Sequence, residues 1–137
     1  LRIGYGLFPL PIATQVWKIK PPYNVNAAAQ VAALAALSDL AYQESQKARL
    51  LAERERLYAA LQGISFLQVY PSCTNFVLAR VRGRPVAQVR EALEEAHILV
   101  RRFSEPELAD CLRFSVGRPE DTKALLAVLR SLEAREG

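Results

Sequence analysis

The chain is poor in the residue types that most often carry catalysis or hold metals. Its 137 residues include one histidine, two cysteines and no methionine. Two cysteines are too few for a disulfide framework, and they do not stand in the paired Cys and His spacing of a zinc site. We therefore expect two plain buried thiols and no metal site.

The sequence also lacks long apolar runs. No stretch of about 18 uninterrupted apolar residues occurs, and the N-terminus has no charged-then-apolar signal pattern. Hydrophobic residues make up 51% and charged residues 23% of the chain, which excludes a disordered protein. We expect a soluble, cytoplasmic, globular protein that does not contact membranes. Because a complete gene product begins with methionine, the start at Leu1 predicts a C-terminal fragment of a longer protein.

The positive charge of the chain is small and dispersed. The net charge is +4, but lysine and arginine are mixed with glutamate, as in QKARLLAERERL, which is typical of a solvated helix face. A small anionic ligand is therefore favoured over nucleic acid as a partner.

Glycine and proline are absent from residues 27–61, which predicts a long helical segment with a break near Ser38 and Asp39. Before this segment, the two prolines of KPPYNVN exclude a helix, while Asn24 or Asn26 can cap the helix that follows.

Short strands alternate with helices in the rest of the chain. Residues 1–8 predict a strand or a strand that runs into a loop, and residues 9–20 predict a short amphipathic turn or helix. From residue 64 onward, SFLQVY, NFVLARV, ILVRRF and CLRFSV predict strands, whereas PVAQVREALEEA and residues 119–134 predict helices. This order predicts an α+β domain with helices on one face of a small, mostly antiparallel sheet.

An arginine stands inside the apolar strand CLRFSV. Strand periodicity places Cys111, Arg113 and Ser115 on one face, opposite the apolar face that helices would cover. Two interpretations stay open for Arg113. One is a surface ion pair worth about 0 to 1 kcal/mol. The other is a guanidinium that binds a carboxylate or phosphate through two hydrogen bonds. Such a contact is worth roughly 1.5 to 3 kcal/mol, and the small neighbours leave room for the ligand.

Other candidate residues are few. Arg101 and Arg102 end the strand ILVRR on opposite faces, so one of them can join Arg113 around the same anion. Arg2 is a third arginine in an apolar strand. His97 is expected to be a surface or capping residue, and no nucleophilic triad is visible. If the protein is an enzyme, its chemistry comes from a cofactor or from residues outside this chain.

Five motifs in sequence order carry a family resemblance: LRIGYG, KPPYNVN, PSCTNFVL, ILVR and CLRFSVGRPEDT. Together they resemble the C-terminal part of the pyridoxal-phosphate-dependent aminotransferases with the aspartate aminotransferase fold. Within that family they are most similar to the histidinol-phosphate aminotransferases. The resemblance runs over essentially the whole chain.

The resemblance implies a role for several arginines. Arg2 matches the arginine that holds the cofactor phosphate. Arg113 matches the arginine that binds the substrate carboxylate or the anionic end of histidinol phosphate, and Arg101 matches an assisting arginine, with Arg102 as the alternative. The lysine that forms the Schiff base with the cofactor is expected upstream of Leu1, so no catalytic residue is assigned within this chain.

The resemblance also implies a domain organisation. Residues 1–26 correspond to the tail of the large cofactor-binding domain, residues 27–62 to a connecting helical segment and residues 63–137 to the C-terminal small domain. The rest of the large domain is then a required partner. A homodimer is expected, with Tyr23 and Asn24 close to the partner's site.

The implied activity is transfer of an amino group between L-histidinol phosphate and 2-oxoglutarate in histidine synthesis, with pyridoxal 5'-phosphate as cofactor. The alternatives within the fold are another amino-acid aminotransferase or a threonine-phosphate decarboxylase, because the same arginines would serve either. A stand-alone anion- or RNA-binding α+β module is an alternative of a different class, but the sheet lacks the aromatic platform that RNA-binding modules use.

Overall fold

The computed structural model describes residues 3–134 of the chain. These residues belong to two compact units, which divide between Ser45 and Gln46. None of the helices in this described part is long and apolar enough to cross a membrane.

The N-terminal unit is helical. It contains α1 (Leu10–Ile19), α2 (Ala27–Ser38) and the first residues of α3 (Leu40–Gln62). The strand that the sequence predicts over residues 1–8 is wrong for residues 3–8, which form no regular element. A strand needs a neighbour that satisfies its backbone N–H and C=O groups, and all strands of the described residues lie in the other unit.

Side-chain caps mark the beginnings of α2 and α3. The Asn26 side chain accepts a hydrogen bond of 2.8 Å from the Ala29 N–H and so caps α2. Asp39 interrupts the helical run and caps α3 by accepting a bond of 3.0 Å from the Tyr42 N–H. The predicted break in the helical segment is therefore confirmed, and its cause is a competing cap.

The C-terminal unit contains a four-stranded sheet. Its strands are β1 (Leu67–Val69), β2 (Phe76–Val81), β3 (Arg101–Arg102) and β4 (Cys111–Ser115), in the order β1-β2-β4-β3. Every neighbouring pair is antiparallel. Helices α4 (Val86–Glu95) and α5 (Pro119–Ala134) complete the unit, together with a short 3₁₀ helix (Pro106–Leu108). The predicted antiparallel sheet with accompanying helices is confirmed.

One sheet face forms the core of this unit. Val77 and Ala79 of β2 are fully buried, as is Leu112 of β4, and Phe114 is 1% exposed. They pack in a cluster with buried apolar residues of the helices, namely Leu57, Leu61, Val89, Leu93, Leu125, Leu126, Leu129 and Leu132. Truncating a buried phenylalanine to alanine destabilises a protein by about 3 to 5 kcal/mol, so Phe114 is a principal stabilising residue.

An ion pair between the buried Glu53 carboxylate and the exposed Arg56 links α3 to the start of α5. The Glu53 carboxylate accepts two hydrogen bonds from the Arg56 guanidinium, at 2.9 and 2.7 Å, and a third from the Thr122 hydroxyl. Arg56 also donates to the Pro119 carbonyl at 2.9 Å. The hydrogen bonds from Arg56 and Thr122 hold the pKa of the Glu53 carboxyl below its ordinary value, although burial opposes this. The first turn of α5 is thereby fixed against α3.

The structure corrects the extent of the strand predicted from ILVRRF. Only Arg101–Arg102 pairs as β3. The preceding His97 adopts a left-handed φ of 60°, and the Ile98 N–H turns back to the Leu93 carbonyl at 2.8 Å. These bonds end α4 in the manner of a Schellman motif, so Ile98 serves the helix end and not the sheet. The prediction of His97 as a surface or capping residue is confirmed, because it is exposed at this turn.

Candidate functional site

The second sheet face is the candidate site. Along β2, Phe76, Leu78 and Arg80 are half-buried, whereas the residues between them belong to the core. Along β4, Arg113 is half-buried and Ser115 is exposed on the same side. We call this surface, which carries Phe76, Leu78, Arg80, Arg113 and Ser115, the open face.

The register of β3 decides which arginine accompanies Arg113. Arg101 pairs directly with Arg113, and Arg102 pairs with the core residue Leu112. Directly paired residues lie on the same side of a sheet. Arg101 therefore shares the open face with Arg113. Arg102 lies on the helix side, where it lines a cavity of about 100 Å³ together with Arg90 of α4.

Arg113 has an incomplete set of partners. Its Cζ lies 5.0 Å from the centre of the Phe76 ring, a cation–π contact. Its Nε is buried and makes no hydrogen bond with any residue that the structure describes. No carboxylate of the described residues forms an ion pair with it either. The surface ion pair that the sequence left open thus finds no acidic partner for Arg113 within residues 3–134.

Arg80, on the same face, is fully engaged. Its Nε donates to the Tyr70 hydroxyl at 3.2 Å and its Nη2 to the Glu107 carbonyl at 2.7 Å. Its Nη1 lies 3.4 Å from the Asp110 carboxylate. The bond to Tyr70 is the main cause that raises the pKa of the Arg80 guanidinium above its ordinary value. Arg80 therefore ties β2 to the loop between β3 and β4.

The two small residues on either side of Arg113 differ in exposure. The sequence suggests room beside both small neighbours, but Cys111 is 0% exposed and pairs with Arg80. Ser115 is exposed and pairs with Phe76. A ligand therefore finds room on the Ser115 side only. The prediction of two buried thiols is likewise wrong for Cys73, which is exposed, and right for Cys111.

The other predicted residues are placed as follows. Arg2 lies outside the described residues. Tyr23 stands in the loop between α1 and α2, where it has a left-handed φ of 57° and a fully exposed side chain. Residues 3–134 contain no group of three or more His, Cys, Asp or Glu side chains that could hold a metal ion.

Two features escaped the sequence analysis. One is the contact of Phe76 with Arg113, whose signal was only the aromatic residue in NFVL and which needs the β2–β4 register to be seen. The other is an apolar groove of about 700 Å³ within the N-terminal unit. It is lined mainly by Ile3, Tyr5, Leu34, Leu37 and Leu40.

The arrangement on the open face suits an anion. Arg101 and Arg113 are permanently charged, lie side by side on adjacent strands and have Ser115 as an exposed neighbour. Arginine binds carboxylates and phosphates through two parallel hydrogen bonds. What the open face offers is thus binding and orientation of an anionic group.

Comparison with protein families gives one match over most of the chain. Residues 1–129 match the family described as Aminotransferase class I and II. A curated histidinol-phosphate aminotransferase from Roseiflexus castenholzii is 49% identical over 135 residues, which are 96% of this chain and 36% of that protein. The chloroplastic histidinol-phosphate aminotransferase of Nicotiana plumbaginifolia is 44% identical over 95% of this chain and 32% of its own length.

Solved structures of histidinol-phosphate aminotransferases also match the chain. The histidinol-phosphate aminotransferase from Clostridium acetobutylicum matches with a TM-score of 0.80 and 27% identity, over 91% of this chain and 38% of that one. The enzyme of that name from Sinorhizobium meliloti, solved in complex with pyridoxal-5'-phosphate, matches with a TM-score of 0.72 and 26% identity, over 89% and 35%. The chain spans about a third of the length of the proteins it matches.

Proposed function

Because the chain belongs to the class I and II aminotransferase family, we propose that it forms the C-terminal third of a pyridoxal-phosphate-dependent aminotransferase. The whole protein moves an amino group between L-histidinol phosphate and 2-oxoglutarate. The observation that carries this assignment is the 49% identity to a histidinol-phosphate aminotransferase over 96% of the chain.

The open face supports this assignment through charge. Histidinol phosphate carries a phosphate, and 2-oxoglutarate and glutamate carry carboxylates, so both substrates present an anionic end. Arg113 and its cross-strand partner Arg101 bind that end in the proposed site. The side chain of Arg113 forms no hydrogen bond or ion pair with the described residues, and its terminal nitrogens, unlike the buried Nε, are accessible to a substrate.

The cofactor is held largely outside the described residues. In the proposed site, Arg2 binds the cofactor phosphate, and the lysine that attaches the cofactor lies upstream of Leu1. When bound, pyridoxal phosphate supplies the electron sink that lets an amino group be taken up and passed on. The residues of this chain contribute by holding the anionic ends of the substrates in a fixed place, which lowers the entropy that the reaction must lose.

The domain boundaries are part of the proposal. Residues 1–26 belong to the large domain, residues 27–62 connect the domains and residues 63–137 form the small domain. The division into compact units between Ser45 and Gln46 falls within the proposed connecting segment. A cytoplasmic homodimer is proposed as well, with the exposed side chain of Tyr23 in the loop that approaches the partner.

A threonine-phosphate decarboxylase is the second candidate, since its substrate also combines an amino group with a phosphate. The L-threonine-O-3-phosphate decarboxylase from Porphyromonas gingivalis matches with a TM-score of 0.67 and 24% identity, over 90% of this chain and 39% of that one, which shows a common fold. The same anion site serves either substrate.

Assays of the whole protein separate these functions. With pyridoxal phosphate bound, we expect glutamate to form from 2-oxoglutarate when L-histidinol phosphate is the amino donor. Aromatic amino acids and aspartate should serve as much poorer donors. Release of carbon dioxide from L-threonine phosphate, without amino transfer from L-histidinol phosphate, would contradict the proposed function and support the decarboxylase.

A further inference from the structure

The aromatic ring of Phe76 covers one side of the guanidinium of Arg113, with 5.0 Å between Cζ and the ring centre. Phe76 pairs with Ser115, which stands two residues after Arg113 in β4. The two residues are therefore diagonal neighbours on the open face, a geometry within reach of aromatic and long side chains.

This contact restricts the orientation of the arginine. The Nε of Arg113 is buried, while the residue as a whole is only half-buried. The terminal nitrogens are thus the accessible part of the guanidinium. An arginine without such support loses rotamer freedom when it binds a ligand, and this loss weakens binding.

We propose that Phe76 is a positioning residue for the anion site. Its ring holds the Arg113 guanidinium on the open face before the ligand arrives, so that the terminal nitrogens meet a phosphate or carboxylate without a further loss of rotamer freedom. The inference rests on the proposed function and deepens it, because it assigns the affinity for the anionic end of the substrate partly to a residue that does not touch the substrate.

The chain contains a second pair of the same kind, which serves as a matched control. The Cζ of Arg84 lies 4.0 Å from the centre of the Phe66 ring. Arg84 also donates from Nη1 to the Leu132 carbonyl at 3.3 Å, and Phe66 belongs to the core cluster. This pair holds parts of the fold together, so loss of the Phe66 ring changes stability and leaves the anion site intact.

The test compares Phe76→Leu with Phe76→Tyr in the whole protein with its cofactor bound. Phe76→Leu removes the ring, and we expect the KM for L-histidinol phosphate and the Kd for inorganic phosphate to rise about fivefold. The kcat should stay within about twofold, because the ring acts on binding. Phe76→Tyr keeps the ring and should bind within about twofold of the unchanged protein.

A double-mutant cycle with Arg113→Gln isolates the positioning role. Glutamine has no cation to lie over the ring, so Phe76→Leu should weaken phosphate binding no further in the Arg113→Gln background. Phe66→Leu should lower the melting temperature and leave the Kd for phosphate unchanged. An equal loss of affinity in both backgrounds, or an unchanged Kd in Phe76→Leu, would overturn the proposal.

The phosphate titration keeps this inference separate from the proposed function. Calorimetric binding of inorganic phosphate needs no amino transfer. If the unchanged protein transfers no amino group from L-histidinol phosphate, the proposed function fails, and the coupling between Phe76 and Arg113 is still decided by the Kd values. If amino transfer occurs and the coupling is absent, the inference alone fails.

Discussion

Two arginines on the open face differ in what surrounds them. Arg80 donates to the Tyr70 hydroxyl and the Glu107 carbonyl and lies beside the Asp110 carboxylate. Arg113 lies on the neighbouring strand, and its Nε makes no hydrogen bond with any residue between 3 and 134. Both are half-buried cations on the same surface, yet one is engaged by the protein and the other is available.

The difference shows that partners, and not residue type, decide the role of an arginine. A half-buried cation without an acceptor from the protein is available to an anionic ligand, which supplies acceptors to its terminal nitrogens. Two acceptors of Arg80, the Glu107 carbonyl and the Asp110 carboxylate, come from the loop between β3 and β4. The third is the Tyr70 hydroxyl after β1. None of these three groups forms a hydrogen bond or ion pair with Arg113. Arg80 therefore links segments of the fold, whereas Arg113 belongs to the proposed anion site.

The largest predicted effect is that of Arg113→Ala on substrate binding. Loss of a charge-assisted hydrogen-bonding group should raise the KM for L-histidinol phosphate by about ten- to a hundredfold in the whole protein. The melting temperature should change little, because Arg113 makes no hydrogen bond within the described residues. Steady-state kinetics and thermal unfolding measure the two quantities. Unchanged kinetics would return Arg113 to a surface role.

Arg80→Ala should show the opposite pattern. It leaves the Tyr70 hydroxyl and the Glu107 carbonyl without their donor, and we expect the melting temperature to fall by several degrees. Arg82→Ala is the matched control, because the exposed Arg82 side chain donates to the Gln68 side chain and its loss should be nearly neutral. The KM should stay within about twofold for both variants. A large rise in KM for Arg80→Ala would abolish the contrast with Arg113.

Arg56 is a third kind of arginine, because its partner is a buried carboxylate. Its partner Glu53 has a pKa held below the ordinary value in the folded protein, so the carboxylate stabilises the fold above the unfolded-state pKa. This contribution is lost as the pH falls below about 4.3 and passes through the folded-state pKa. Glu53→Gln should lower stability at neutral pH and flatten the loss of stability in this acid range. Chemical denaturation at pH values from about 3 to about 7, the range in which carboxylates titrate, measures the stability of both proteins. Parallel pH profiles for the unchanged protein and Glu53→Gln would contradict this prediction.

The smallest predicted effect concerns the turn that leads to β3. His97 has a left-handed φ of 60°, a conformation that glycine adopts without the strain of a side chain. His97→Gly should raise the free energy of unfolding by about 0.5 to 1 kcal/mol. It should leave phosphate affinity unchanged, because the backbone conformation at this position is already the one that glycine prefers. Denaturant unfolding that shows destabilisation would contradict this interpretation.

Local signals in the sequence were sufficient for most elements. Pro119 with Glu120 and Asp121 marks the beginning of α5, and the absence of glycine and proline marks the helical segment before residue 62. Strand periodicity placed Arg113 on the face opposite the core. These properties depend on neighbours within a few residues, which is why they can be read directly.

Properties that depend on strand pairing could not be read in this way. The choice between Arg101 and Arg102 needed the register of β3 against β4. The partners of Arg80 at Glu107 and Asp110 are 27 and 30 residues away in the chain. The same long-range dependence explains why the contact of Phe76 with Arg113 was missed. The ILVRRF strand was predicted too long for a local reason, because the turn at His97 and Ile98 ends α4.

One measurement tests the contrast between the two arginines most directly. Isothermal titration of inorganic phosphate, which cannot transfer an amino group, into the whole protein with its cofactor bound gives the Kd for the unchanged chain, for Arg113→Ala and for Arg80→Ala. We expect the Kd to be at least about tenfold higher for Arg113→Ala and unchanged within about twofold for Arg80→Ala. Equal Kd values for the two variants would contradict the proposed difference between Arg113 and Arg80.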